Sequence, residues 1–450
     1  MKTKKSIQVL ESKLKLLSKL SNMLRVNKIL TASLPRLIFR VIGFRSSDVD
    51  DSEAISKIKK LESICISFNI LPNGFSQDPK VTPSKWTTVK SILYFSLMSV
   101  YIFHLALLSV FDLPDEWLLV LGDFFYGKQN RRYFWFLWLN ASIVGEILRH
   151  YWIYLVENGH FKTLKLYYSI YENGIKSEVL SMNHCYCQKF RFVAINLVNA
   201  WLWIVYCIAI TFAPILIFIV HSADHKPQTS IQFIYTGFWI FVNYLGIVST
   251  LYNTILPGAI VTVHLSYFYF KAAHIARTAE SLAAERGLLN KVDYLLHYKA
   301  TVSEIIQYQN EIEQLNIKLR NWLIFLYIGL SAAADFGMYI AIFVHIDKFM
   351  DLFIVAVASI GVAAIGACSY TNGVILTMMS SYCKNLIRKA TRCLQLSARA
   401  FIKGTDLQDR LSRTDIAFTI GELLNMTSRV FVIYLIENIC LIMMFKVNFK

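Results

Sequence analysis

Signatures of catalysis are missing from this 450-residue sequence. It holds no GxGxxG, no GxxxxGK[ST], no HExxH and no GxSxG, and its 10 histidines are dispersed. Nucleotide cradles, zinc sites and activated nucleophiles therefore lack the residues that they need, and no enzyme and no cofactor is expected. Cysteine patterning is absent too. The eight cysteines stand at 65, 185, 187, 207, 368, 383, 393 and 440; Cys185 and Cys187 form a CxC with no second pair, which argues against a metal site. None lies in a segment placed outside below, so no disulfide framework is expected. Charge is scarce at 17%, against about 25% in soluble domains. No apolar core follows the Lys-rich start, and the first long apolar run opens near Ser91, so no cleavable signal peptide is expected.

Apolar length is what the chain has. Apolar residues make up 55% and aromatic residues 14%, the composition of an all-α polytopic membrane protein. Seven segments approach the roughly 20 residues that a bilayer requires: Ser91–Phe111, Tyr133–Val156, Val193–Val220, Ile234–Phe270 (interrupted at Pro257-Gly258), Asn321–Ile346, Leu352–Ser380 and Val430–Phe445.

Lys and Arg placement sets the orientation. Seven spans put residues 1–90, 157–191, 271–320 and 382–414 on one side, with 17, 5, 7 and 8 Lys+Arg. The opposite side, 112–132, 221–233, 347–351 and 446–450, holds 3, 1, 1 and 2. The N terminus is thus expected in the cytoplasm and the C terminus outside. A G-protein-coupled receptor has these sides reversed, and a transporter would show matched broken helices in an inverted repeat; both stay as lesser alternatives. The net charge of +16 belongs on this reading to loops facing anionic lipid, not to nucleic acid.

Six regions follow: a cytosolic N-terminal part (1–90), spans one to four (91–270), a cytosolic helical extension (271–320), spans five and six (321–380), cytosolic anchor helices (381–429) and a last span with a short external tail (430–450). Leu10–Leu24 has apolar residues at helical spacing with lysines between, suited to a headgroup surface or to packing on the protein. Ser46–Glu53 reads as a polar loop. Apolar residues at threes and fours across Ala272–Arg320 predict helices that run on from the spans and pack together. Asp415–Ser428 reads as an amphipathic helix capped at Thr414-Asp415 and broken from the last span near Arg429.

Only Glu437 and Asn438 interrupt the apolar run of that last span. Glu437, Leu441 and Phe445, spaced by fours, share a drifting stripe. A carboxylate ring favours cations, and an apolar constriction gates by dewetting. The competing reading of Glu437 is a buried pair within one subunit; Asn438 suits interhelical bonding. In the second span Glu146 and Arg149, three apart, are expected to pair.

Seven spans, a cytoplasmic N terminus, a long fourth span, a helical second inner loop and the run AFTIGELLNMTSR before the last span resemble the invertebrate gustatory receptors, relatives of insect odorant receptors. That family's last span carries Thr-Tyr, five apolar residues and Gln-Phe. The corresponding register here reads Glu437-Asn438, five apolar residues, then Met444-Phe445, so the spacing and the Phe match while Thr, Tyr and Gln do not.

The resemblance implies a multi-pass chemosensory receptor of the plasma membrane, a homo- or heterotetramer with family members whose last helices enclose a cation pore. A small-molecule stimulus would enter a pocket in each subunit open to the outside. It assigns Leu441 and Phe445 to the gate, with Met444 in the Gln place and Glu437 below as a charge. For the pocket, Asp335 is the leading polar candidate, with Trp135, Trp138, Asn140, Trp239, Asn243 and Tyr339 near it in depth; aromatic walls with a few polar groups suit small polar or aromatic ligands. A light- or peroxide-sensing receptor of the same fold remains open.

Overall fold

The computed structural model describes residues 50–75, 85–157 (except 124, 127 and 129), 163–221, 230–284, 291–346, 348–393, 398–411, 417–421 and 424–448. The expectations for Leu10–Leu24 and for a cap at Thr414-Asp415 lie outside these residues.

The described chain is helical apart from one small hairpin. Its helices are α1 (Asp51–Ser67), α2 (Lys85–Val110), α3 (Asp115–Val120), α4 (Arg131–Glu157), α5 (Thr163–Asn173), α6 (Ser177–Leu180), α7 (His184–His221), α8 (Ser230–Ala284), α9 (Lys291–Tyr339), α10 (Lys348–Met378), α11 (Lys384–Cys393), α12 (Ala398–Arg410) and α13 (Ser428–Asn448). Single π turns extend α9 over Ile340–Val344 and α10 over Met379–Cys383. The hairpin pairs β1 (Thr419–Ile420) with β2 (Leu424–Asn425), Thr419 opposite Asn425 and Ile420 opposite Leu424.

Six of the described helices are long and apolar enough to cross a membrane: α2, α7, α8, α9, α10 and α13. The seventh expected span, α4, has 27 residues but carries Glu146 and Arg149 in its middle. It lies against α2, α8 and α9, which keeps those charges off lipid.

Helix α8, with 55 residues, is about 80 Å long at 1.5 Å per residue, well beyond a bilayer core of about 30 Å. It and the 49-residue α9 continue as single helices past the membrane, as the periodicity of Ala272–Arg320 predicts. The expected interruption at Pro257-Gly258 is absent, for α8 runs through both residues. Pro257 is buried among neighbouring helices, a setting in which the missing amide hydrogen bond is tolerated.

Two further expectations are corrected. The polar segment Ser46–Glu53 is not a loop throughout, because α1 starts at Asp51, where the Asp50 carboxylate accepts from the Asp51 amide at 2.8 Å. Acidic side chains capping a first turn convert a loop-like composition into a helix start. The amphipathic helix expected over Asp415–Ser428 is replaced in its described part by the hairpin. Gly421 holds φ at +61°, a left-handed conformation that helices do not contain and glycine adopts at little cost.

One large apolar core joins α1, the C-terminal part of α4, α5, α7, the C-terminal part of α8, the N-terminal two-thirds of α9 and α11. Trp152 and Trp322 meet edge to face within it, with ring centres 5.4 Å apart and neither exposed. Aromatic pairs of this kind add roughly 0.5–1.5 kcal/mol beyond burial. Three smaller clusters lie where helices cross: around α2, α3 and α4, at the junction of α4, α9, α10 and the end of α13, and where the hairpin meets α9 and α10. Lipid supplies no hydrophobic drive between spans, so close packing must bind them. A Cβ on Gly366 of α10 would come within 2.7 Å of the Phe431 ring of α13; only glycine admits this ring.

Candidate functional site

Helices α2, α4 and α8 converge on an aromatic group at the end of α4 that carries Trp135. Trp239 stacks on His104 with ring centres 3.9 Å apart, and its Nε1 donates to the Val120 carbonyl at 3.0 Å. The His104 Nε2 lies 2.8 Å from the Leu121 carbonyl, and the Trp135 ring stands edge-on to the imidazole at 6.2 Å. Trp135 Nε1 donates to the Asp123 carboxylate at 2.9 Å. That carboxylate also accepts the Phe125 amide at 3.0 Å and pairs with Arg131. The described residues of the segment joining α3 to α4 are thus fastened to the helix bundle through the buried Asp123, the Leu121 carbonyl and Asn130, whose Nδ2 donates to the Val344 carbonyl at 2.8 Å.

Asn243 sits one turn along α8 from Trp239. Its Nδ2 donates to the Trp239 carbonyl at 2.8 Å, while its fully buried Oδ1 has no partner among the described residues. A buried acceptor left unsatisfied is costly, and a polar guest would relieve it. Trp138 meets Phe134 and Phe212 edge-on, at 6.3 and 6.4 Å, and Phe212 in turn meets Phe353 of α10. Asn140 donates to the Phe136 carbonyl of its own helix at 2.8 Å, so that amide donor is occupied locally.

Asp335 and Tyr339 belong to a second group. Both are buried on α9, in the stretch that meets Leu137 of α4 and Ile354 of α10. The Asp335 Oδ2 is buried with no partner among the described residues. Of the seven residues expected to share one pocket, the structure brings together Trp135, Trp239 and Asn243, links Trp138 to them through Phe134, and sets Asp335 and Tyr339 at the neighbouring crossing. His104, Asp123 and Arg131 were not foreseen. A histidine within an apolar span was the available signal for the first; nothing in the spacing marked the others.

The expected Glu146–Arg149 pair is present at 3.2 Å. It is wider than two residues: Asn253 Nδ2 donates to Glu146 Oε1 at 2.7 Å, and the Arg149 guanidinium lies 4.0 Å from the centre of the Tyr94 ring. Charge, amide and ring from α2, α4 and α8 thus meet inside the bundle, with the buried Arg149 Nε left without a partner among the described residues.

Helix α13 differs from all other spans in having no buried residue. It leans on α9 and α10 with Phe431, Tyr434, Ile442 and Phe445, while Ile433, Ile436, Glu437, Ile439, Met443 and Met444 are exposed and Leu441 is half-buried. The Phe445 ring stands 5.9 Å from both Phe336 and Tyr339 of α9. The stripe of Glu437, Leu441 and Phe445 therefore turns from the open face of α13 at its first member to the α9 face at its last.

No family model matches the sequence, and no curated protein matches it. Among solved structures, the fold is similar to that of the insect olfactory receptor OR5 from Machilis hrabei, determined in complex with eugenol. The TM-score is 0.58 at 9% sequence identity, over 87% of this chain and all of that one. The chain therefore has the all-α polytopic fold of an insect olfactory receptor.

Proposed function

We propose that this chain is one subunit of a chemosensory receptor that is itself a ligand-gated cation channel, with the pore enclosed by the α13 helices of four subunits. The observation that carries the reading is the open face of α13: a 21-residue span with no buried residue and a carboxylate, Glu437, in its middle. A charge facing acyl chains costs a few kcal/mol, whereas a ring of such charges in a water-filled pore favours cations. The olfactory-receptor fold supports the same reading. The excess of Lys and Arg in 1–90, 157–191, 271–320 and 382–414 supports a cytoplasmic N terminus and an external C terminus in the plasma membrane.

Glu437 and Met444 are assigned to the pore wall. Leu441, exposed along one edge, is the apolar constriction, and Phe445 braces it by packing on Phe336 and Tyr339. The stimulus is a small molecule of partly aromatic character held between Trp135, Trp138, Trp239 and Asn243, and the gustatory subtype is assigned on the last-span register. Tyr339, whose ring stands 5.9 Å from that of Phe445, and Asp335 one turn before it on α9 are assigned to connecting binding to the pore. The gustatory assignment is checked with a panel of sugars and other small polar-aromatic compounds.

The test is direct recording from cells expressing the full chain. Leu441→Ala should raise the leak current in the absence of any stimulus. A glycosylation site inserted at the N terminus should stay unmodified. An unchanged leak from Leu441→Ala at normal surface level, or a glycosylated N terminus, would sink the reading.

A further inference from the structure

We infer that Asn372 of α10, seconded by Asn316 of α9, is the positioning residue that fixes the root of α13 and thereby holds the proposed pore closed; the second half of this rests on the channel reading above.

The hairpin ends three residues before α13 begins, so whatever holds the hairpin sets where the last helix starts. Asn372 has no exposed surface, and its carboxamide acts as an extra length of strand. Its Oδ1 accepts from the Phe418 amide at 3.0 Å, and its Nδ2 donates to the carbonyls of Phe418 at 2.9 Å and Met426 at 2.8 Å. Both donor hydrogens and the acceptor are thus used on backbone groups flanking the two strands. On the opposite side, Asn316 accepts the Thr419 amide at 2.9 Å and donates to the Thr419 hydroxyl at 3.1 Å, while the Gly421 amide donates to the Arg320 carbonyl at 3.1 Å. The next residue after Asn372 completes the seat, for a Cβ on Gly373 would touch Ser428 N at 3.6 Å.

A fully satisfied polar network in a dry site has one arrangement, and disturbing one member leaves others unpaired. Beyond this root, α13 is tied to the bundle by few polar bonds, of which Ser331 Oγ to Tyr434 Oη at 2.8 Å is the clearest. The helix is anchored at its foot and open along its length. A rearrangement of α9 against α10 would therefore move the foot through the two asparagines, which come from those two helices. Neither asparagine lies on the open face of α13, so their part is positioning and not conduction.

The experiment uses the full chain with Cys185, Cys207 and Cys393 replaced by serine and half-buried Cys368 by alanine, leaving Cys440, which is exposed on α13, as the reporter. Two quantities are read: the rate at which a positively charged methanethiosulfonate modifies Cys440 in surface-expressed protein, and the current without stimulus. Asn372→Asp keeps the shape but sets a carboxylate oxygen against two carbonyls. It should raise both quantities about tenfold, the effect of displacing the closed state by one buried hydrogen bond. Asn316→Asp should act in the same direction. Thr377→Ala, a turn and a half further along α10 with an exposed side chain bonded only to its own helix, should leave both unchanged. Unchanged Cys440 reactivity in Asn372→Asp and Asn316→Asp at normal surface level would overturn the assignment. If Asn372→Asp fails to reach the surface, Thr419→Val, which deletes one hydroxyl from the same joint, is read by the same criterion. If Leu441→Ala, Asn372→Asp and Asn316→Asp all reach the surface and none carries current above untransfected cells, the channel reading is sunk, and Cys440 reactivity would then decide the role of Asn372 at the root of α13 by itself.

Discussion

Glu146 and Arg149 face one another at 3.2 Å in the middle of α4, with their side chains 12% and 4% exposed. The pair explains how a helix too polar to stand in lipid alone takes its place among the spans. Its charges are spent on each other, on Asn253 and on the Tyr94 ring, and the helices around α4 close over the result.

Breaking that pair on one side leaves a buried charge without its partner, at a cost of about 3–5 kcal/mol. Glu146→Gln and Arg149→Met should each lower the melting temperature of the detergent-solubilised protein sharply. The double variant should lose less than the sum of the two. A strictly additive pair of shifts would show that they do not couple.

Glu437 is set on the open face of α13. Glu437→Gln should reduce the preference for cations over anions, read as a shift of the reversal potential toward that of chloride in dilute external salt. Packing within the subunit should be untouched, because the side chain is exposed in the protomer, and surface level should stay at wild type.

Phe445 and Leu441 should separate experimentally. Phe445→Ala removes a ring lodged against Phe336 and Tyr339 and should destabilise the protein by about 1–3 kcal/mol through lost packing. Leu441→Ala should change the leak current with a smaller loss of thermal stability. Equal stability losses in the two variants would contradict the division of their roles.

The proposed ligand group predicts its own pattern. Trp239→Ala removes the ring stacked on His104 and should shift the half-maximal stimulus concentration upward by roughly tenfold or more, one or two kcal/mol of contact. Asp335→Asn should reduce the maximal response with less change in that concentration, since Asp335 lies at the crossing toward α13. Dose–response recording with an agonist found in the compound panel checks both.

Cys65 on α1 lies outside the spans and is fully buried. Burial, with a smaller contribution from Glu62, pushes its thiol well above the ordinary 9.0. At pH 8 it should resist alkylation in the folded protein while exposed Cys185 reacts. The raised value favours the folded state fully below pH 9, and this contribution is lost as the pH climbs from there toward the folded-state value. Melting curves at pH 7 and 8 should therefore show no effect of Cys65→Ala beyond a pH-independent packing loss.

Helix periodicity made the spans legible because it is local. The break expected near Arg429 agrees with the α13 start at Ser428, and the pairing of Glu146 with Arg149 follows from a spacing of three on one helix. The hairpin was hidden for the opposite reason. AFTIGELLN has an acceptable helical pattern, and its strands are enforced by Asn316 and Asn372, about 100 and 50 residues earlier. Neighbourhood across helices was hidden too: depth along the spans grouped Asp335 with Trp135 and Trp239, whereas the crossing of α4, α9 and α10 separates them. For Phe445, two steps of four residues carry a side chain about 80° around a helix. That rotation takes it from the open side of Glu437 to the α9 side.

The bareness of α13 bears on the life of the protein before it reaches its destination. In the tetramer proposed above, a freshly made subunit would carry an α13 whose outward side awaits neighbours that are not yet there, with a carboxylate turned to acyl chains. Such a molecule is an orphan to the quality-control machinery of the secretory membrane. Its abundance at the cell surface should therefore rise more steeply than in proportion to synthesis, set by how soon partner copies are met and not by how well one copy folds.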